Sequence, residues 1–151
     1  MHNHAALPVI IINGYPGAPT SDVADKLVDT IPKWDVKHLL GLGYRTDGVP
    51  VAQSKESLNT CYVFPDFILD DYDGHVTMEK YQEMVKNRGC PLIVINLVSH
   101  QGQHRERTPM WRGPNALFWT EMNFSTQSVA SMAKIIAGHA KLEAFSFWDC
   151  T

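Results

Sequence analysis

An α/β fold, with a five-stranded parallel sheet between helices in three layers, is predicted by three features of the chain. Two runs, Pro8 to Asn13 (PVIIIN) and Pro91 to Val98 (PLIVINLV), are apolar almost throughout. Strands of that kind are buried on both faces, as parallel strands are. Stretches of helical period alternate with the strand-like runs, and Gly and Pro punctuate the joins without forming a linker.

The elements follow in order. After the first strand, the turn Gly14 to Ser21 leads into a helix over Ser21 to Ile31. Val23, Leu27, Val28 and Ile31 share one face there, and Thr20, Ser21 and Asp22 offer N-cap chemistry. A strand at Val36 to Leu40 precedes a Gly-rich loop, and Cys61 to Phe64 reads as the third strand. Met78, Tyr81, Met84 and Val85 line a second helix that Arg88 and Gly89 end, ahead of the strand at Pro91 to Val98. Residues 99–125 carry His, Arg, Trp and Pro with no clean period and read as a lid-like excursion. Val129, Met132, Ala133 and Ile136 make a helix ending near Gly138, and Leu142 to Trp148 (LEAFSFW) reads as the last strand. On this layout residues 1–151 are a single domain whose terminal helix is missing. An uncovered apolar sheet face then favours a homodimer.

Composition narrows the function. The 151 residues are 44% hydrophobic and 19% charged with a net charge of −3, which lacks the basic footprint of a nucleic-acid binder. No apolar run reaches the length of a membrane span. The apolar stretch Ala5 to Ile12 is broken by Pro8 and has no cationic leader, so no signal peptide is expected. Three scattered cysteines, Cys61, Cys90 and Cys150, form neither a disulfide framework nor a CxxC metal site, and they read as reduced thiols. A cytoplasmic protein with a small-molecule partner, no nucleic-acid or membrane partner, no metal and no cofactor is expected.

The turn Gly14-Tyr15-Pro16-Gly17-Ala18-Pro19-Thr20-Ser21 lies where a strand opens into a helix, the place of a phosphate-binding loop of pattern G-x-x-x-x-G-K-[ST]. "VIIINGYPGAPTSDVADKL" resembles the opening of the small P-loop kinases and their fungal kinase-like relatives, whose turn reads GYPG-x-GK. "FPDFILDDYDGHVTMEKYQEMVKNRGCPLIVINLV" and "LEAFSFWDCT" resemble later parts of the same family. The resemblance implies a P-loop fold over most of the chain. Two departures weaken the activity it implies. Pro19 replaces the second loop glycine and has no N–H for a phosphate, and Thr20 replaces the lysine. Losing a charged donor to a buried anion costs about 2–5 kcal/mol. Asp22 adds a carboxylate at the helix end that otherwise attracts phosphate. Lys26, Lys33 and Lys37 lie too far along to restore the site directly.

Ligands of such sheets sit beyond the carboxyl ends of the strands, which gathers Gly14, Tyr15, Gly17, Thr20, Ser21, His38, Asp66 and His100 in one cleft. His38 and His100 are candidate acids or bases because histidine titrates near neutrality, with a structural role as the competing reading. Asp66 is a candidate to orient a histidine or bind a substrate hydroxyl, and Tyr15 is a candidate proton donor. Asp70, Asp71 and Asp73 read as a solvated acidic turn. In the resembled family the excursion is a lid whose arginines neutralise phosphates, which points to Arg105, Arg107 and Arg112, while Arg45 stands as the remnant of a substrate-binding arginine. Trp111 and Trp119 beside them suit a flat ligand or cover a small core. The expectation is a diverged kinase-like protein that has lost efficient ATP phosphotransfer and uses its cleft for cofactor-independent acid–base chemistry: an isomerisation, cyclisation or elimination. The rivals are a residual ATP-dependent small-molecule kinase and a non-catalytic binding module.

Overall fold

Strand β1 (Val9–Gly14) is buried at all its residues and sends alternate side chains to opposite faces, so it seeds two cores. The structure, a computed structural model, describes residues 6–41, 50–99, 109–111 and 118–149. β1 is followed by α1 (Thr20–Thr30), β2 (Asp35–His38), two 3₁₀ turns (Val51–Gln53 and Lys55–Ser57), β3 (Thr60–Asp66), α2 (Tyr72–Arg88), β4 (Leu92–Val98), β5 (Phe118–Asn123) and α3 (Val129–Asp149). The five strands form one sheet in the order β2-β3-β1-β4-β5, and every neighbouring pair is parallel.

On one face Ile10, Ile12, Cys61, Val63, Ile93 and Ile95 meet Val23 and Leu27 of α1 and Met132, Ala133 and Ile136 of α3. On the other, Val9, Ile11, Phe64 and Val94 meet Met78, Tyr81, Met84 and Val85 of α2. Burying a Leu, Ile or Met side chain contributes roughly 1.5–3 kcal/mol, so these two layers dominate the stability of the sheet. α2 begins on Asp71, whose side chain accepts from Gly74 N at 2.8 Å, and ends on Gly89 in the left-handed region at φ 78°. Arg88, in its last turn, is 4% exposed. Its guanidinium donates to the carbonyls of Leu7, Ala52, Ser57 and Thr60 and lies over the Tyr62 ring.

Three sequence expectations are corrected. Leu142 to Trp148 is helix, the end of the 21-residue α3. The chain therefore has the terminal helix that was expected to be missing. Ala133, Ala137, Ala140 and Ala144 are buried along one face of α3, and this packing outweighs the cost of about 1 kcal/mol for Gly138 mid-helix. The fifth strand is instead β5, inside the expected excursion. Among the described strands it pairs with β4 alone and exposes Glu121, and an edge strand needs no two-sided apolar run. Third, α1 and α3 cover the sheet face that was expected to stand open, so that reason for a homodimer falls away. Smaller shifts concern α1, which starts on Pro19 without a side-chain cap, and Val28, which is 38% exposed. Among the described residues no helix is long and apolar enough to cross a membrane.

Candidate functional site

β1 leads to α1 on one face of the sheet while its neighbour β3 leads to α2 on the other, and a crevice opens where the two connections part. Gly14 to Ala18, Thr20, Ser21, Leu40, Pro65, Asp66 and Phe67 line a cleft of about 250 Å³ there. Three strands carry polar side chains in register at this end of the sheet, since Asn13 stands opposite both Asp66 on β3 and Asn96 on β4.

These polar groups fix the walls. Asn13 is fully buried. Its amide donates to Ile68 O at 2.9 Å and to Asn96 Oδ1 at 3.1 Å, and its Oδ1 accepts from Ile68 N at 2.7 Å. Asn96 in turn donates to Trp111 O at 2.9 Å, and Trp111 N donates back to Ile68 O at 3.0 Å. A buried amide left without partners costs about 1–3 kcal/mol, so this closed network holds the β3–α2 turn to β1 and β4. Asp66 projects from that turn into the cleft. Its Oδ2 accepts from Tyr81 Oη at 2.9 Å and its Oδ1 from Phe67 N at 2.7 Å. Burial, with the Asp66 charge and hydrogen bond behind it, pushes the Tyr81 phenol well above its usual value, so Tyr81 stays protonated and donates.

The opposite wall is the turn after β1. Gly17 adopts φ 98°, a conformation that favours glycine. Ala18 N–H donates to Tyr15 O at 3.0 Å and Thr20 N–H to Ala18 O at 2.8 Å, while Pro16 and Pro19 have no N–H. Four positions of the turn thus offer no backbone donor to an anion. The turn also closes on itself, because a Cβ on Gly14 would lie 2.8 Å from Ala18 Cβ and 2.9 Å from Thr20 Cγ2. The Tyr15 and Phe67 rings, both in the cleft lining, contact each other at a tilt of 54° with centroids 5.6 Å apart.

Gly14, Tyr15, Gly17, Thr20, Ser21 and Asp66, named from the sequence, come together here. His38 does not line the cleft. It turns toward α1, where its Nδ1 lies 2.6 Å from Asp25 Oδ1, and its buried Nε2 has no hydrogen-bond partner among the described residues. Trp111 is 3% exposed and packs in the core on the α2 side. Arg45, His100, Arg105, Arg107 and Arg112 lie outside the described residues. Asp71 is the α2 cap, and Asp70 pairs with His75 at 2.8 Å. Burial pushes the Cys61 thiol up to about 12 and the Cys90 thiol up to about 11, so both are poor nucleophiles. Among the described residues no group of three His, Cys, Asp or Glu side chains could hold a metal ion.

Sequence reasoning missed Asn13, Asn96, Tyr81 as the partner of Asp66, Leu40 and Phe67. The asparagines did carry a signal, since each is an amide at the same depth of an otherwise apolar strand.

No family model matches the chain, and no curated protein matches it. Among solved structures, the crystal structure of APE1195 is similar with a TM-score of 0.64 at 11% identity, covering 93% of this chain and 98% of that one. The hexameric APS kinase from Thiobacillus denitrificans is similar with a TM-score of 0.56 at 12% identity, covering 94% of this chain and 30% of that one. At these identities the likeness shows a shared fold, the α/β arrangement around a five-stranded parallel sheet described above.

Proposed function

We propose that this chain keeps a kinase-like fold, has given up efficient ATP phosphotransfer, and uses the cleft for cofactor-independent acid–base chemistry on a small organic metabolite. The observation that carries the reading is the β1–α1 turn. Its lysine position is Thr20, two of its residues are prolines, and the N–H groups of Ala18 and Thr20 are bonded within the turn. A phosphate bound there would meet neither a cation nor a cradle of free amides from these positions. What the cleft does hold among the described residues is one carboxylate, Asp66, fixed by Tyr81 and Phe67, with the hydroxyl-bearing Tyr15, Thr20 and Ser21 also in its lining. A fixed carboxylate that removes a proton, with hydroxyl donors placed for the charge that develops, suits an isomerisation, cyclisation or elimination. Closeness to the fungal kinase-like proteins in particular belongs to the same proposal and rests on the GYPG turn.

Calorimetric titration of ATP with Mg²⁺ tests it. The natural protein is expected to give no saturable heat, and a Pro19→Gly, Thr20→Lys variant is expected to bind. Binding by the natural protein, together with phosphoryl transfer from labelled ATP, would restore the residual kinase.

A further inference from the structure

We infer that the cleft is a site for a small organic ammonium ion carrying an apolar body. The inference deepens the proposed reading and rests on its claim that the phosphate cradle is gone. The charge of the lining carries it. Among the described residues that form the cleft, Asp66 bears the one formal charge, and no Lys, Arg or His is present. The described lining is thus anionic at one point, and it favours a cation there over an anion.

The carboxylate has room for a ligand. Phe67 N–H occupies one acceptor direction on Oδ1 and Tyr81 Oη–H one on Oδ2, while a carboxylate offers about four in all. The bonds from Phe67 and Tyr81 hold it in place. Tyr15 and Phe67, a tilted ring pair, share its cleft, with Pro16, Pro65 and Leu40 completing an apolar rim. Aromatic rings beside a carboxylate attract an ammonium group twice over, by charge and by the ring quadrupole, and the rim shelters the ligand's hydrocarbon part. Phe67 and Leu40 are 46% and 85% exposed, an arrangement that leaves large apolar groups in water until something covers them. Among the described residues no group of three His, Cys, Asp or Glu side chains gathers at Asp66, so a divalent cation there would depend largely on water for its ligands.

The test uses three probes that share one ring and differ in the head group: benzylamine, benzyl alcohol and benzoate. Each is titrated into the full chain, with binding read from backbone amide shifts. Benzylamine is expected to shift Asp66, Phe67 and Gly17 saturably, about tenfold more tightly than benzyl alcohol, with benzoate weakest. Asp66→Asn is expected to erase the preference for the amine. Leu40→Lys changes an exposed side chain that folding does not need, and it is expected to reverse the order so that benzoate binds best. Benzoate binding as well as benzylamine to the natural protein, benzylamine failing to shift these residues, or an amine preference that survives Asp66→Asn would each overturn the inference. So would Mg²⁺ shifting these residues in place of the amine. ATP with Mg²⁺, titrated separately, keeps the two claims apart: its binding would overturn the loss of the phosphate cradle, whereas failure of both ATP and benzylamine would overturn the ammonium site alone.

Discussion

The turn from β1 into α1 and the turn from β3 into α2 wall the same cleft, yet the second alone takes its helix cap from a side chain. The β3–α2 turn is pinned by Asn13 through Ile68, by Tyr81 through Asp66, by Asp71 at the cap and by Pro109 O, which accepts from Asp70 N at 2.7 Å. The β1–α1 turn is shaped by two prolines, a glycine at positive φ and short bonds among its own backbone groups. A turn held by its own local geometry can lose its ligand-binding groups without loss of structure. A turn held by long-range side-chain bonds cannot change one partner without unsettling the others. On the proposed reading, the wall that has lost its phosphate-binding groups is the one that tolerates the loss.

Four measurements sharpen or break that contrast. The largest effect is expected at Gly74, where an added Cβ would stand 1.7 Å from Leu69 O. Because the obstacle is backbone, Gly74→Ala should cost about 3–5 kcal/mol in urea unfolding. Asn13→Ala follows, with about 2–4 kcal/mol lost, because Ile68 N, Ile68 O and Asn96 all lose a buried partner. Removing the α2 cap with Asp71→Ala should lower the thermal midpoint by the equivalent of about 1 kcal/mol. The smallest change belongs to the other wall, where the Pro19→Gly, Thr20→Lys pair should alter stability by less than about 1 kcal/mol. A loss there as large as that at Asn13 would show that both turns are equally constrained, and the contrast would fail.

Much of the sheet was readable because burial on both faces leaves a dense signal. β1, β3 and β4 fall within a few residues of their expected positions, and so do α1 and α2. β5 and the second half of α3 were not readable, for opposite reasons. Edge position lets β5 carry Thr120 and Glu121 amid its apolar residues, which dilutes the strand signal. In α3 the segment Leu142, Phe145, Phe147 and Trp148 is rich in aromatics that favour strands, while the alanines that fix it as helix act through tertiary contact. Within the cleft, the glycines, hydroxyls and Asp66 of the two turns were legible from the position of the strand ends. His38 was not, since its turn toward Asp25 depends on how α1 packs on β2. Leu40 and Phe67 carry no chemistry that would mark them, and only geometry brings them to the rim.

Arg88 ties together parts of the chain that are far apart in sequence. One planar side chain on α2 receives the start of β1 through Leu7, the 3₁₀ turns through Ala52 and Ser57, and the start of β3 through Thr60. Lysine cannot span this set, because its single ammonium lacks the fork that reaches several acceptors in a plane. The consequence lies in hydrogen exchange. Residues 51–57 form two single 3₁₀ turns, the sort of short structure that ordinarily opens by itself at small free-energy cost. With the guanidinium in place, releasing that segment takes Ala52 O and Ser57 O from a buried cation, so its protected amides should exchange more slowly than those of an untethered 3₁₀ turn.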